Sequence, residues 1–176
     1  MVGEIRDAQT ADVAIQAALT GHLVFSTVHT NDAAGAITRL LDMGVENYLI
    51  SSAVLGVLAQ RLVRVICKKC IEPTKVSKTL IAEMGTYDQE EMKTFHGKGC
   101  KECSHTGFRG RAGIYELLVV DDAIRQLILD KSTAQIIRET ARNKGMTTLR
   151  EDGWKKVADG ITTVEEVLRV TLNEQT

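Results

Sequence analysis

Two Cys-x-x-Cys pairs, Cys67-Lys68-Lys69-Cys70 and Cys100-Lys101-Glu102-Cys103, constrain this chain more than any other feature. A two-residue spacer lets both sulfurs of a pair turn toward one point. A tetrahedral zinc ion needs them about 2.3 Å from that point. Lysines beside both pairs favour the thiolate form. Gly97, Gly99 and Gly107 stand where tight knuckle turns call for glycine. The gap between the pairs exceeds the common ribbon spacing, so the residues between them are expected to form a small lobe. Four thiolates leave no open coordination position, which makes the expected Zn2+ structural. The alternatives are four unligated thiols or a redox dithiol, and two matched pairs are more than redox chemistry needs. His96 and His105 offer substitute ligands, but a full set of cysteines leaves them as loop residues.

The rest of the chain must supply a core from aliphatic side chains. Aromatic residues make up 4% of the 176 residues, so Leu, Ile, Val and Ala carry the packing. The length suits one ordinary domain or a core with small appendages. A net charge of −1 exerts no global pull toward nucleic acid or membrane. The opening Met1-Val2-Gly3-Glu4-Ile5-Arg6-Asp7 is charged and unlike a signal peptide. The longest apolar-rich stretch, 48–58, contains Ser51 and Ser52 and is too short to span a bilayer. These features lead to the expectation of a cytosolic chain, where paired cysteines mean metal more often than disulfides.

Periodicity predicts a helix capped by Asp7 and running to about Leu19, stopped by Gly21. Residues 22–28 predict a nearly all-apolar strand of a sheet covered on both faces. Asn31 or Asp32 caps a second predicted helix, ending at Met43. A third helix is expected over 48–59 and a strand over 61–66. Strand and helix alternation is the rhythm of a parallel α/β sheet. Too few strands lie in 1–66 to bury its faces, so the strands that precede Val2 are expected to be missing. Short helices are expected over 77–84 and 88–95, and a strand over 114–120. Four helical segments close the chain, at 122–129, 134–143, 149–158 and 164–171. Capping boxes are expected at Ser132 with Gln135, Thr148 with Glu151 and Thr163 with Glu166.

Glu4 falls where a buried strand would meet a helix, the edge at which parallel sheets bind ligands. A glutamate there suits orientation of a water for attack on phosphate. His29 follows one strand later, again at a strand end, so the two side chains can face one ligand. A solvated helix-start glutamate and a loop histidine remain the plainer alternatives.

Taken in order, several segments carry a resemblance. Val2-Gly3-Glu4-Ile5-Arg6-Asp7, Leu19-Thr20-Gly21-His22-Leu23-Val24, Ser26-Thr27-Val28-His29-Thr30-Asn31 and Gly56-Val57-Leu58-Ala59-Gln60-Arg61-Leu62 are the first. The cysteine pairs, 110–118 and 160–167 continue the series. Together they resemble the secretion ATPases, motors of bacterial type II secretion and type IV pilus assembly.

The resemblance implies an incomplete RecA-like core over 1–66, a four-cysteine zinc lobe over 67–111, and a strand with a helical tail over 112–176. It implies that Glu4 takes the acidic place of a Walker B-like segment and that His29 lies in the segment called the His box. It assigns Arg6, His22 and Arg61 to the neighbourhood of the nucleotide or a subunit contact. It implies ATP and Mg2+ as cofactors of the whole protein, beside the zinc. The expected partners are further copies in a homo-hexamer and the platform proteins of the inner membrane, with the motor on the cytoplasmic side. The cysteine lobe favours export or assembly over retraction. The helix containing Ala123-Ile124-Arg125-Gln126-Leu127-Ile128 is similar to one near subunit contacts, and reads equally as a packing helix.

One departure is large. No Gly-x-x-x-x-Gly-Lys-Ser/Thr loop occurs in the chain, nor the acidic segment that follows it in the family. That loop supplies the amide cradle and lysine that hold the phosphates. The chain is therefore expected to be inactive alone. The alternative is a zinc-dependent binding or interaction module without ATPase activity. Nucleic acid is not expected as a partner. The cysteine region is locally basic, but only Phe95 and Phe108 stand near it for base stacking.

Overall fold

A computed structural model describes residues 1–75 and 93–171. The chain divides into two compact units, Met1–Ala59 with Glu116–Thr147, and Gln60–Tyr115 with Thr148–Thr176. These units follow contact, and they interleave along the chain. Helix α1 (Ala8–Leu19), α2 (Ala33–Asp42) and α3 (Asn47–Ala53) come first. Strands β1 (Gly56–Ile66), β2 (Ile71–Thr74) and β3 (Thr94–Gly97) follow, then a 3-10 turn at Lys101–Cys103 and β4 (Phe108–Val119). Helices α4 (Asp122–Leu129), α5 (Ala134–Asn143), α6 (Leu149–Ala158) and α7 (Val164–Thr171) close the described chain. Two-stranded pairs form between β1 and β4 and between β2 and β3.

In the first unit, α1 starts where Asp7 accepts the Thr10 N–H at 2.8 Å, satisfying one of the free donors of the first turn. Gly21 (φ +95) takes the left-handed turn just beyond its end. Asp32, not Asn31, caps α2. Buried Ile15, Ile37, Ile50, Leu118, Ile124 and Ile137 belong to one aliphatic core. Helix α4 packs on α3 and α5 through Ile124 and Ile128. Arg125 donates to the Ser51 carbonyl, which adds a polar tie to that packing.

The strand expected over 22–28 is an extended segment without a strand's ladder. Val2 N–H donates to the Phe25 carbonyl and Ile5 N–H to the Thr27 carbonyl, both at 2.9 Å. The partners advance in the same sense, as in a parallel pair, but among the described residues these are the two backbone bonds found between them. Parallel pairing is stable when both faces are covered and further strands flank it. Here Leu23 and Phe25 are exposed, and among the described residues no further ladder flanks the pair. The α/β class holds, while the continuous parallel sheet does not appear.

The third helix is shorter than expected, and β1 is longer. Helix α3 ends at Ala53, and Gly56–Gln60 belong to the strand. A Cβ on Gly56 would come within 2.9 Å of the Leu118 carbonyl oxygen. Close pairing with β4 thus overrides the helical spacing of the apolar residues.

The second unit contains β2 and β3, which pair antiparallel with Ile71 opposite Gly97 and Thr74 opposite Thr94. The helices expected over 77–84 and most of 88–95 lie outside the described residues. The end of the latter is corrected, since Thr94 and Phe95 are strand residues facing Thr74 and Pro73. Helices α6 and α7 pack closely enough that a Cβ on Gly153 would lie 2.5 Å from Val167 Cγ1. Trp154 is fully buried in this unit.

Of the three expected capping boxes, Thr148 with Glu151 is formed in both directions. At α5 the cap is Thr133 rather than Ser132. Glu166 N–H donates to Thr163 Oγ1 at 3.4 Å, but its carboxylate serves Arg64 and Arg169 instead. A buried carboxylate gains more from two guanidinium groups than from one backbone N–H.

Candidate functional sites

The cysteine pairs converge. Cys67 Sγ lies 3.9 Å from Cys100 Sγ, and Cys70 Sγ lies 3.9 Å from Cys103 Sγ. Cys100 and Cys103 sulfurs are 3.8 Å apart, and all four lie within 4.8 Å of one another. Sulfurs at the corners of a tetrahedron around an ion 2.3 Å away would stand about 3.8 Å apart. The set fits a metal ion of that size.

Two knuckles produce this geometry. Cys70 N–H closes the first on the Cys67 carbonyl at 3.1 Å. His105 N–H closes the second on the Cys100 carbonyl at 2.8 Å. Gly97 and Gly107 cross so closely that a Cβ on either would overlap the other's carbonyl oxygen. Only glycine permits that crossing, which brings the knuckles together. Cys103 Sγ accepts N–H groups from Cys100 at 3.2 Å and Gly107 at 3.3 Å. The Cys100 N–H is the main reason its thiol is lowered to about 6, against the opposing effect of burial. Burial pushes the Cys70 thiol up to about 12. His96 sits in β3 opposite Glu72, and His105 adopts a positive φ in the second knuckle. Neither belongs to the ligand cluster found among the described residues.

Around this cluster, part of the basic character is neutralised by ion pairs. Lys98 pairs with Glu72 at 3.2 Å and Arg109 with Glu102 at 2.7 Å. Arg64 pairs with Glu166 at 2.7 Å and lies 4.2 Å from the centre of the Phe108 ring.

In the first unit, Glu4 and His29 meet. One Glu4 oxygen pairs with His29 Nε2 and the other with Arg6 Nε. The contact follows from the two extended segments. Ile5 N–H is tied to the Thr27 carbonyl, and Thr27 Oγ1 donates to the Gly3 carbonyl at 2.8 Å. Glu4 is thereby set beside the stretch that ends in His29. The Glu4 side chain is 19% exposed, whereas that of His29 is 84% exposed. A shielded carboxylate beneath an accessible imidazole can orient a water while the ring reaches toward an anion.

His22 lies at the other end of the same extended segment. At about 3.3 Å per residue, seven residues separate it from His29 by up to roughly 23 Å. Its Nδ1 stands 3.2 Å from Thr20 Oγ1 and 3.3 Å from the Ala17 carbonyl oxygen, against the last turn of α1. Arg61 lies on β1 in the second unit. A cavity of about 490 Å³ lined by Thr38, Asp42, Glu46 and Lys131 opens near the end of α2 remote from His29.

Residues 1–169 match the family described as Type II/IV secretion system protein. The chain belongs to this family. It is 56% identical over 175 residues to the type II secretion system protein E of Pseudomonas aeruginosa, covering 99% of this chain and 34% of that protein. It is 53% identical over 174 residues to the type IV pilus assembly ATPase PilB of Thermus thermophilus, covering 98% of this chain and 20% of that one. The chain thus spans about a third of the first relative and a fifth of the second. Its fold is similar to the pilus retraction motor PilT solved with bound ADP, with a TM-score of 0.62 and 26% identity. That match covers 96% of this chain and 39% of PilT. The fold is also similar to the ATPase DotB of Yersinia pseudotuberculosis, with a TM-score of 0.65 and 21% identity, over 97% of this chain and 36% of DotB.

Two buried acids carry more than the sequence reading gives them: Glu116 is not singled out there, and Glu166 is read only as a capping-box partner. Glu116 occupies an inward position of β4 between Ile114 and Leu118, and Glu166 is an acid on the buried face of α7. An acidic residue at an apolar register position is the signal that exposes them.

Proposed function

We propose that this chain is the C-terminal part of an ATP-hydrolysing motor serving type II secretion or type IV pilus assembly. The observation that carries this reading is the Glu4–His29 contact in a family whose relatives are named as secretion and pilus ATPases. Bound ATP and Mg2+ would supply the reacting phosphorus and neutralise charge on the phosphates. Glu4, restrained by Arg6 and His29, orients the attacking water and holds its proton. His29 reaches past Glu4 to the terminal phosphate. Arg6, His22 and Arg61 keep their assignment to the nucleotide or a subunit boundary on the resemblance alone.

The four cysteines hold Zn2+ as a structural ion, and no protein step passes through it. The RecA-like core, the zinc lobe over 67–111 and the tail from 112 onward remain our division of the chain. The complete motor forms a homo-hexamer on the cytoplasmic side of the inner membrane and acts on platform proteins there. No described helix is long and apolar enough to cross a membrane.

The absent Gly-x-x-x-x-Gly-Lys-Ser/Thr loop leaves this chain without a phosphate cradle. ATP turnover by the complete protein and by this chain, each also as Glu4→Gln, tests the reading. The complete protein is expected to turn over, and to lose at least about 100-fold on losing the carboxylate. The chain alone is expected to be silent. Turnover by the chain that survives Glu4→Gln would sink the proposal. A complete protein without turnover would favour a zinc-dependent interaction module, which the self-contained cysteine site also suits.

A further inference from the structure

Helix α2 begins a few residues after His29, and its first turn is held more firmly than capping requires. Asp32 is 5% exposed and accepts the Gly35 N–H at 2.6 Å. Its other oxygen pairs with Arg138 of α5. Glu116 of β4 is 1% exposed and accepts the Ala33 N–H at 2.9 Å through Oε1. One side-chain acceptor is enough to cap a helix. A second buried carboxylate adds desolvation cost. The arrangement therefore does something besides starting a helix.

Its placement identifies the role. Upstream of His29, Thr27 Oγ1 ties the chain to the Gly3 carbonyl, next to Glu4. Downstream, Asp32 and Ala33 are tied to α5 and β4. Thr30 Oγ1 donates to the Asp32 carbonyl at 3.0 Å and stiffens the link between. His29 itself carries an exposed ring on a stretch without strand or helix of its own. Two anchored points on either side decide where that ring can stand.

We propose that Arg138, acting through Asp32, and Glu116 are positioning residues that hold the His29 imidazole on Glu4. The catalytic consequence rests on the proposed ATPase reading, while the positional one does not.

The test has two arms. In the 176-residue chain, histidine-ring carbon–proton spectra report on the four histidines, with His29 identified by its loss in His29→Gln. Arg138→Gln is expected to move the His29 signal and leave those of His96 and His105 in place. Arg138→Lys should restore it in large part. Arg138→Gln leaves a buried carboxylate without its guanidinium and can impair folding. The double variant Asp32→Asn with Arg138→Gln keeps a capping side chain and removes both charges, and it should move His29 as well. An unmoved His29 signal in these folded variants overturns the proposal.

In the complete ATPase, Arg138→Gln is expected to lower kcat about tenfold, as displacement of a catalytic group does. KM for ATP should stay within about twofold. Added to His29→Ala, the same change should cost nothing further. Losses that multiply would mark a merely structural residue and overturn the proposal. If His29→Ala alone leaves kcat intact, the ATPase reading fails, and the spectra still decide the positioning.

Discussion

The cysteine cluster and the Glu4–His29 pair are built in opposite ways. Each cysteine pair is fixed by a two-residue spacer, and the two knuckles complete one tetrahedral donor set. Every ligand that such a site needs is present. Glu4 and His29 instead come from separate extended segments joined by two backbone bonds and one threonine hydroxyl. The chemistry proposed for them also needs a phosphate cradle, and the Gly-x-x-x-x-Gly-Lys-Ser/Thr loop that would supply one does not occur in this sequence. A closed metal site can carry its own folding energy, whereas an open half-site depends on what is brought to it. The first region should therefore respond to its ligand alone, and the second should not.

Removing the metal should give the largest effect. Chelation, or Cys103→Ser, is expected to drop bound zinc from about one equivalent to below half. The β2–β3 pair should then lose its order, because structural zinc contributes roughly 10 kcal/mol or more to such lobes. Metal analysis together with amide exchange of the Thr94–Gly97 strand checks this. Retained exchange protection without metal would break the contrast. The signals of α1 and α2 should persist through chelation, and their loss would also break it.

A smaller effect is expected from acid. Burial alone would raise the Glu166 carboxyl, but hydrogen bonds from Arg169 and Arg64 outweigh it and hold the group at about 2. Its folded value lies below the ordinary glutamate value of 4.5, so its contribution is fully present above about 4.5. It is lost as pH falls from there toward 2. The loss should be at most on the order of 3 kcal/mol. Glu166→Gln should flatten the acid side of the melting profile, and an unchanged profile would remove this ion pair from the account.

The smallest effect belongs to the Thr148–Glu151 capping box. Thr148→Ala is expected to cost about 1 kcal/mol, read as a modest lowering of the denaturant midpoint. On the proposed reading, in which the chain lacks the phosphate-binding loop, ATP added to it should leave every one of these transitions where it was. A clear upward shift of melting with ATP would show that the second region is more complete than proposed.

Much of the local structure could be read from residues alone. The limits of α4 to α7 coincide with the expected segments, because apolar spacing marks the same ends even where the cap itself differs, as Thr133 does at α5. The convergence of the four cysteines was legible because the spacing within each pair is itself the geometry. Strand 22–28 was misread because its composition suits a covered sheet, and composition cannot say whether neighbours are present. The 48–59 helix was overextended because short apolar runs fit either period. The spacing of Glu166 from Thr163 suits a capping box, whereas its partner Arg64 lies about a hundred residues away in sequence.

The sequence by itself determined the cysteine cluster, the limits of the last four helices and the family, since each is written in near-neighbour spacing or in an ordered series of motifs. Tertiary structure decided which carboxylate faces which distant cation: Glu4 on His29, Asp32 on Arg138, Glu166 on Arg64. The physical reason is range. Backbone spacing acts over a few residues, but a buried charge must find its partner wherever the packed chain places one.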